Sequence, residues 1–260
     1  PVASLGWVTS LVQRAAASQE RINEFMDTKA SIVNPSKEQM EINGNIEFKN
    51  VSFTYPDSGI KALQNISLKI NAGESVAILG RTGAGKSSLA SLVSRLYDPD
   101  NGSILIDGKD IKTLNLDILR KSVGYVPQDV FLFSETIAEN IAFGTQLDIS
   151  REEIEQAAKN AEIYDNIKGF PNGFETKLGE RGITISGGQK QRISIARAIV
   201  GKPHILIFDD CLSAVDTETE KGIINNLTSV MKDKTTLIIS HRVSSVAHCD
   251  QIFVLDDGKV

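Results

Sequence analysis

The sequence predicts an α/β fold: a mainly parallel sheet around a glycine loop, an antiparallel β subdomain ahead of it, and a helical subdomain inserted into it. Three observations predict this. Gly80-Arg81-Thr82-Gly83-Ala84-Gly85-Lys86-Ser87-Ser88 fits G-x-x-x-x-G-K-[ST], with an apolar run of strand length at 74–79 before it and Leu89, Leu92, Val93 and Leu96 at helical spacing after it. Two alternating stretches, 45–54 and 62–70, precede that unit. A helix-rich stretch, 129–201, then separates it from further apolar strands.

Taken in order, residues 1–26 read as a helix with a broken apolar stripe of Leu5, Val8, Leu11, Val12, Ala15, Ile22 and Phe25. The stretch is either an amphipathic helix packed on the domain or the cytoplasmic end of a truncated transmembrane helix. Residues 27–44 are polar, contain Asn34-Pro35-Ser36 and read as a linker. Ile46, Phe48, Val51 and Phe53 make 45–54 a half-buried strand, and Tyr55-Pro56-Asp57 ends it. Residues 62–70 alternate again, and Asn71-Ala72-Gly73 turns into the strand before the glycine loop. Beyond the loop helix come a turn at 98–102, a short strand at 103–106, a turn at Asp107-Gly108, a helix at 114–121 and a strand, Val123–Val126, ending at Pro127-Gln128. Within 129–201 the clearest helices are 136–143, 151–161 and 189–200. A strand at 204–208, a helix Thr217–Met231 and strands Thr235–Ile239 and Gln251–Leu255 complete the chain.

The bulk numbers bound the function. At 260 residues, 41% hydrophobic and 23% charged, the chain is ordinary globular material, large enough for one full core with appendages. A net charge of −5 argues against nucleic acid as a partner, since a phosphate-binding face needs surplus Lys and Arg. Cys211 and Cys249 lack C-x-x-C spacing and suggest a reducing compartment. No apolar run reaches the roughly 18 residues of a membrane span. The start at Pro1, without methionine or signal-peptide architecture, leads to the expectation that the sequence is a piece of something longer.

The chemistry starts at 80–88. Its glycines let backbone N–H groups turn around phosphate oxygens, and the following helix N-terminus adds favourable partial charge. Lys86 would reach the β- and γ-phosphates of a nucleoside triphosphate, and the Ser87 hydroxyl would ligate Mg²⁺. Ile205-Leu206-Ile207-Phe208-Asp209 is an apolar strand ending in a carboxylate. Such a strand is expected beside the phosphate-loop strand, with Asp209 at its carboxyl end near Mg²⁺. Asp210, next along, stands where a general base or water-orienting carboxylate would act. Ser186-Gly187-Gly188-Gln189 opens a helix with an N-cap serine and two unobstructed N–H groups. One phosphate loop has no need of this second anion site unless it serves a nucleotide on another copy, so the sequence implies a dimer with nucleotides between the subunits.

Residues 45–260 resemble the nucleotide-binding domain of ABC transporters, a P-loop NTPase core. Gly80–Ser88 looks like Walker A, Ile205–Asp209 like Walker B, and Ser186–Gln189 like the signature motif. The resemblance implies that Gln128 is the Q-loop glutamine contacting Mg²⁺ and water and relaying to the membrane domain. It likewise implies that Tyr55 stacks on adenine, that Ser213–Asp216 is the D-loop with Asp216 acting in trans, and that His241 is the switch histidine at the γ-phosphate. Residues 176–182 are similar to the exporters' X-loop, residues 135–141 to their helical subdomain, and residues 14–21 to the segment joining the last transmembrane helix to the ATPase. This favours reading 1–26 as the stump of that helix. The implied cofactors are ATP and Mg²⁺. The implied partners are a transmembrane domain and a second nucleotide-binding domain, at the cytoplasmic face of a cell membrane.

One departure stands out: the family's catalytic residue after Walker B is Glu, and here it is Asp210. Asp is shorter by one methylene, about 1.5 Å, and a misplacement near 1 Å can cost on the order of 10²-fold in rate. Such an Asp is typical of the degenerate site of heterodimeric exporters, so a heterodimer is favoured over a homodimer. The rival readings are a regulatory ATP-binding module with little hydrolysis and a soluble ABC ATPase. A GTPase is disfavoured because N-K-x-D is absent.

Overall fold

The computed structural model describes residues 2–145, 149–179, 185–212, 217–241, 246 and 248–260. The chain divides into two compact units, Pro1–Val33 and Asn34–Val260. In the first, α1 (Val2–Asp27) is one unbroken helix in which no residue is buried, Trp7 and Phe25 included. No helix among the described residues is long and apolar enough to cross a membrane.

In the second unit, β1 (Ile46–Thr54) is the second strand of an antiparallel sheet ordered β2-β1-β4-β5, with β2 at Lys61–Ile70, β4 at Asn101–Ile106 and β5 at Lys109–Asp110. Ile46, Phe48, Val51 and Phe53 are buried, as the alternation predicted. The unit begins inside the predicted linker. The Asn34 side chain accepts from Leu116 N–H at 3.0 Å and donates to Asp117 at 3.0 Å, and Ile42 is buried.

The second sheet, ordered β6-β7-β8-β3-β9, is parallel throughout: β3 is Ser75–Gly80, β6 Val123–Val126, β7 Ile205–Asp209, β8 Thr235–Ile239 and β9 Gln251–Leu255. Every residue of β7 and β8 is buried, which is why Ile205–Phe208 and Leu237–Ile239 read as unbroken apolar runs rather than alternating ones. The expectation that the strand ending in Asp209 lies beside the phosphate-loop strand is corrected here, because β8 intervenes between β7 and β3. Parallel strands need crossovers, so sequence order does not set spatial order, and two fully buried strands compete for the central place. Asp209 still reaches the loop because α2 (Lys86–Val93) packs over β3, β7 and β8. Leu89, Leu92 and Val93 are fully buried there. At about 1.5–3 kcal/mol per fully buried side chain, packing rather than intrinsic propensity holds this eight-residue helix.

The helical insertion lies between β6 and β7, which are sheet neighbours. It contains α4 (Ile137–Ala142), α5 (Arg151–Asn160), α6 (Tyr164–Lys168) and α7 (Gly187–Val200), around Ile137, Ile141, Ile154, Ala158, Phe174 and Ile193. Capping boxes at Thr136/Glu139 and Ser150/Glu153 start α4 and α5. Helix α3 (Leu116–Lys121) precedes β6, and α8 (Thr217–Met231) follows β7.

Candidate active site

The loop from β3 to α2 needs glycine for two packing reasons. A Cβ on Gly80 would fall on the Leu255 carbonyl of neighbouring β9, and one on Gly85, at φ +100°, would fall on the Ala62 carbonyl of β2. Both glycines let another backbone approach the loop closely. Ala84 is buried behind the loop, and its N–H donates to the Arg81 carbonyl at 3.2 Å.

Lys86 is the first residue of α2 and is buried. Its Nζ donates to the carbonyls of Gly80 and Arg81, both at 2.8 Å. Burial pulls its pKa below the usual lysine value, and the charges of Asp210 and Asp209 oppose that pull. Ser87 Oγ donates to Asp209 Oδ1 at 3.0 Å, and the Tyr125 phenol donates to Asp209 Oδ2 at 3.2 Å. Burial raises the Asp209 carboxyl, and these two hydrogen bonds counter it. Burial and the adjacent Asp209 push the Tyr125 phenol well above its ordinary pKa, so it stays a donor.

Asp210 adopts φ +45°, in the left-handed region, and its N–H donates to Ile239 O of β8 at 2.9 Å. That turn aims its carboxylate toward His241, whose Nε2 lies 3.9 Å from Asp210 Oδ2. The Tyr55 hydroxyl and Ser88 Oγ are hydrogen-bonded at 2.9 Å, and the Tyr55 ring packs edge-on against Phe53 and Tyr97.

One cleft of about 290 Å³ is lined by Tyr55, Thr82, Gly83, Gly85, Lys86, Ser87, Ser88, Gln128, Asp209, Asp210 and His241. Most of the residues singled out in sequence thus meet. Ser186, Gly187, Gly188 and Gln189 do not line it. They form the N-terminus of α7, where Ser186 Oγ accepts from Gln189 N–H at 3.2 Å and Gln189 Oε1 accepts from Ser186 N–H at 3.0 Å. Ser186 and Gly187 are exposed. Asp216 and the rest of the expected D-loop, 213–216, lie outside the described residues, as do 180–182 of the expected X-loop.

The donor set fits Mg²⁺. Among the described residues no group of three or more His, Cys, Asp or Glu side chains could hold a metal by itself. Ser87, Asp209 and Gln128 together offer a hydroxyl, one carboxylate and an amide around space for a polyphosphate. A cation that keeps several waters and takes the rest of its ligands from phosphate oxygens suits such a set.

Sequence reasoning missed Tyr125. Its period-two position in Val-Gly-Tyr-Val faces it away from Val126, but only the pairing of β6 with β7 reveals the carboxylate it meets.

Fold and site together define a nucleotide-binding domain of the phosphate-loop type. Residues 63–213 match the family model described as ABC transporter, and the chain belongs to that family. It is 44% identical, over 100% of its length, to an ATP-dependent lipid A-core flippase of Photobacterium profundum, of which it covers 44%. It is also 44% identical, again over 100% of its length, to a probable multidrug resistance ABC transporter ATP-binding/permease protein of Bacillus subtilis, covering 44% of it. A solved bacterial Atm1-family ABC exporter with ATP bound superposes at a TM-score of 0.89 with 41% identity, over 98% of this chain and 45% of that one. The chain therefore spans less than half the length of these relatives.

Proposed function

We propose that this domain binds and hydrolyses Mg-ATP in the cleft between the 80–88 loop and Asp209. It pairs with a second nucleotide-binding domain and so powers export through a transmembrane domain, working at the cytoplasmic face of a membrane. The observation that carries the reading is the convergence on Asp209: Ser87 Oγ is 3.0 Å from its carboxylate, and Lys86, Gln128, Asp210 and His241 border the same cleft.

Lys86 and the loop amides would stabilise charge developing on the γ-phosphate, and Tyr55 would stack on the base. Ser87, Gln128 and Asp209 would hold Mg²⁺, which when bound neutralises phosphate charge. Asp210 would orient the attacking water and His241 would steady the transition state. Ser186, Gly187 and Gly188, with Gln189 fixing their helix start, would act on a nucleotide held by the partner, as would Asp216. Residues 1–26 would be the end of the last transmembrane helix with its connector to the ATPase.

Asp210 favours one further statement: this chain's own Walker site is the slow one of an unequal pair, and the partner is a different subunit. A regulatory module with little hydrolysis of its own is the second reading on the same residue. Mg-dependent ATP turnover of this chain beside Asp210→Glu, at concentrations that allow dimerisation, separates these readings. A silent parent with an active Glu variant supports the degenerate site. Brisk parental turnover removes it while leaving the ATPase reading in place. Failure to bind ATP at all would sink the proposal.

A further inference from the structure

The Asp209 carboxylate has two oxygens with different assignments: Oδ1 accepts from Ser87 and Oδ2 accepts from Tyr125. A carboxylate at a strand end turns easily about its last torsion, because sp³–sp² torsions are broad. Ser87 alone holds that torsion weakly, since the carboxylate turns as one rigid plane and a single hydroxyl hydrogen bond tolerates a range of its orientations. The second donor comes from the adjacent strand. In the β6–β7 register Tyr125 is level with Ile207, and Asp209 lies two residues further on, on the same face. That offset is about 6.6 Å along the strand, a distance the length of a tyrosine side chain can cross. Phenylalanine would fill the same space without the donor.

We propose that Tyr125 is a positioning residue for Asp209: its phenol locks the carboxylate in the orientation that presents it together with Ser87, and thereby sets how strongly the divalent cation couples to nucleotide binding. The inference rests on the Mg-ATP reading above. Groups that orient a metal-ligating carboxylate typically change metal affinity by about 10- to 100-fold when removed. Tyr125 touches neither the metal nor the nucleotide in this account, so its effect is confined to the metal-linked part of binding.

The test compares this chain with Tyr125→Phe and Tyr125→Leu. ATP affinity is measured by calorimetry in EDTA and again in saturating Mg²⁺, and melting temperature without nucleotide is recorded for each. The ratio of the two affinities is the readout. The parent is expected to gain affinity on adding Mg²⁺, both variants to lose about tenfold of that gain, and affinity in EDTA to stay within about twofold. Phe and Leu are expected to share the lost ratio although Leu, which also removes ring volume, melts lower. A ratio equal to the parent's, an equal fall in EDTA, or a loss that tracks melting temperature would each overturn the role. A parent whose affinity ignores Mg²⁺ would instead overturn the Mg-ATP reading and this inference with it.

Discussion

Arg197, three turns into α7, joins the helix that opens at Ser186 to the segment that follows Gln128. Its guanidinium donates to Asn140 O at 2.7 Å, Asn140 Oδ1 at 2.9 Å and Phe131 O at 2.9 Å, and its carbon lies 5.8 and 5.7 Å from the ring centroids of Phe133 and Phe143. Burial draws its pKa down to about 10, so it remains charged at neutral pH. Replacing it by methionine keeps the stem and removes the fork. Asn140 Oδ1 retains the Phe133 N–H at 2.9 Å, and the Phe131 carbonyl lies at the exposed side, where water can replace the lost donor. The loss therefore concentrates on one buried acceptor, about 1–3 kcal/mol, plus two cation–π contacts of about 0.5–1 kcal/mol each. Relief from desolvating the guanidinium offsets part of it. The net expectation is a destabilisation of about 2–3 kcal/mol, or about 4–12 °C in melting temperature for a chain of this size. Arg197→Lys should recover little, because a single ammonium cannot serve three acceptors set for a planar fork. Urea unfolding followed by circular dichroism reads this directly. A midpoint shift worth less than about 0.5 kcal/mol at unchanged slope would refute the reasoning, and so would a silent Arg197→Lys.

Two glycines of the loop should respond unequally. Gly85→Ala drives a Cβ into the Ala62 carbonyl as well as straining φ +100°, whereas Gly83→Ala, at φ +83° with open space around it, meets only the backbone strain. The second should cost about 1–2 kcal/mol and the first distinctly more, by the same urea titration; equal losses would discredit the close-approach argument. Asp250 accepts from the N–H and hydroxyl of Ser75, both at 2.8 Å, and these bonds hold its pKa below the usual carboxylate range. Its folded pKa is depressed, so its contribution is full above about pH 4, the unfolded value, and fades as pH falls through the folded one. Asp250→Asn should therefore flatten the acid limb of stability below about pH 4, and an unchanged limb would rule this out. Asp210→Glu should raise Mg-dependent ATP turnover, on the order of 10²-fold if reach is the whole difference, as a phosphate-release assay would report.

Much of the site was legible because its residues carry their chemistry in short, contiguous patterns. Gly80–Ser88 announces a strand, a loop and a helix in one stretch, and Ser186 and Gln189 announce a capped helix start by spacing alone. Asp209 was legible as the polar end of an apolar strand. The small elements escaped: the two residues of β5 and the five of α6 are too short to show a period, and they exist because neighbouring elements pair with or pack on them.

By itself, then, the sequence determined the local grammar: which stretches alternate, which carry a phosphate loop, where the carboxylates fall, and that Asp210 stands one methylene short. Only the tertiary structure decided that β8 separates β7 from β3, that α2 spans the gap so that Ser87 meets Asp209, and that Tyr125 and Arg197 find their acceptors across 84 and 57 residues respectively. The physical reason is common to all three. Hydrophobic burial and period fix what each segment becomes, whereas strand order and cross-strand partners depend on which apolar faces pack together, and that choice is not written in any single stretch.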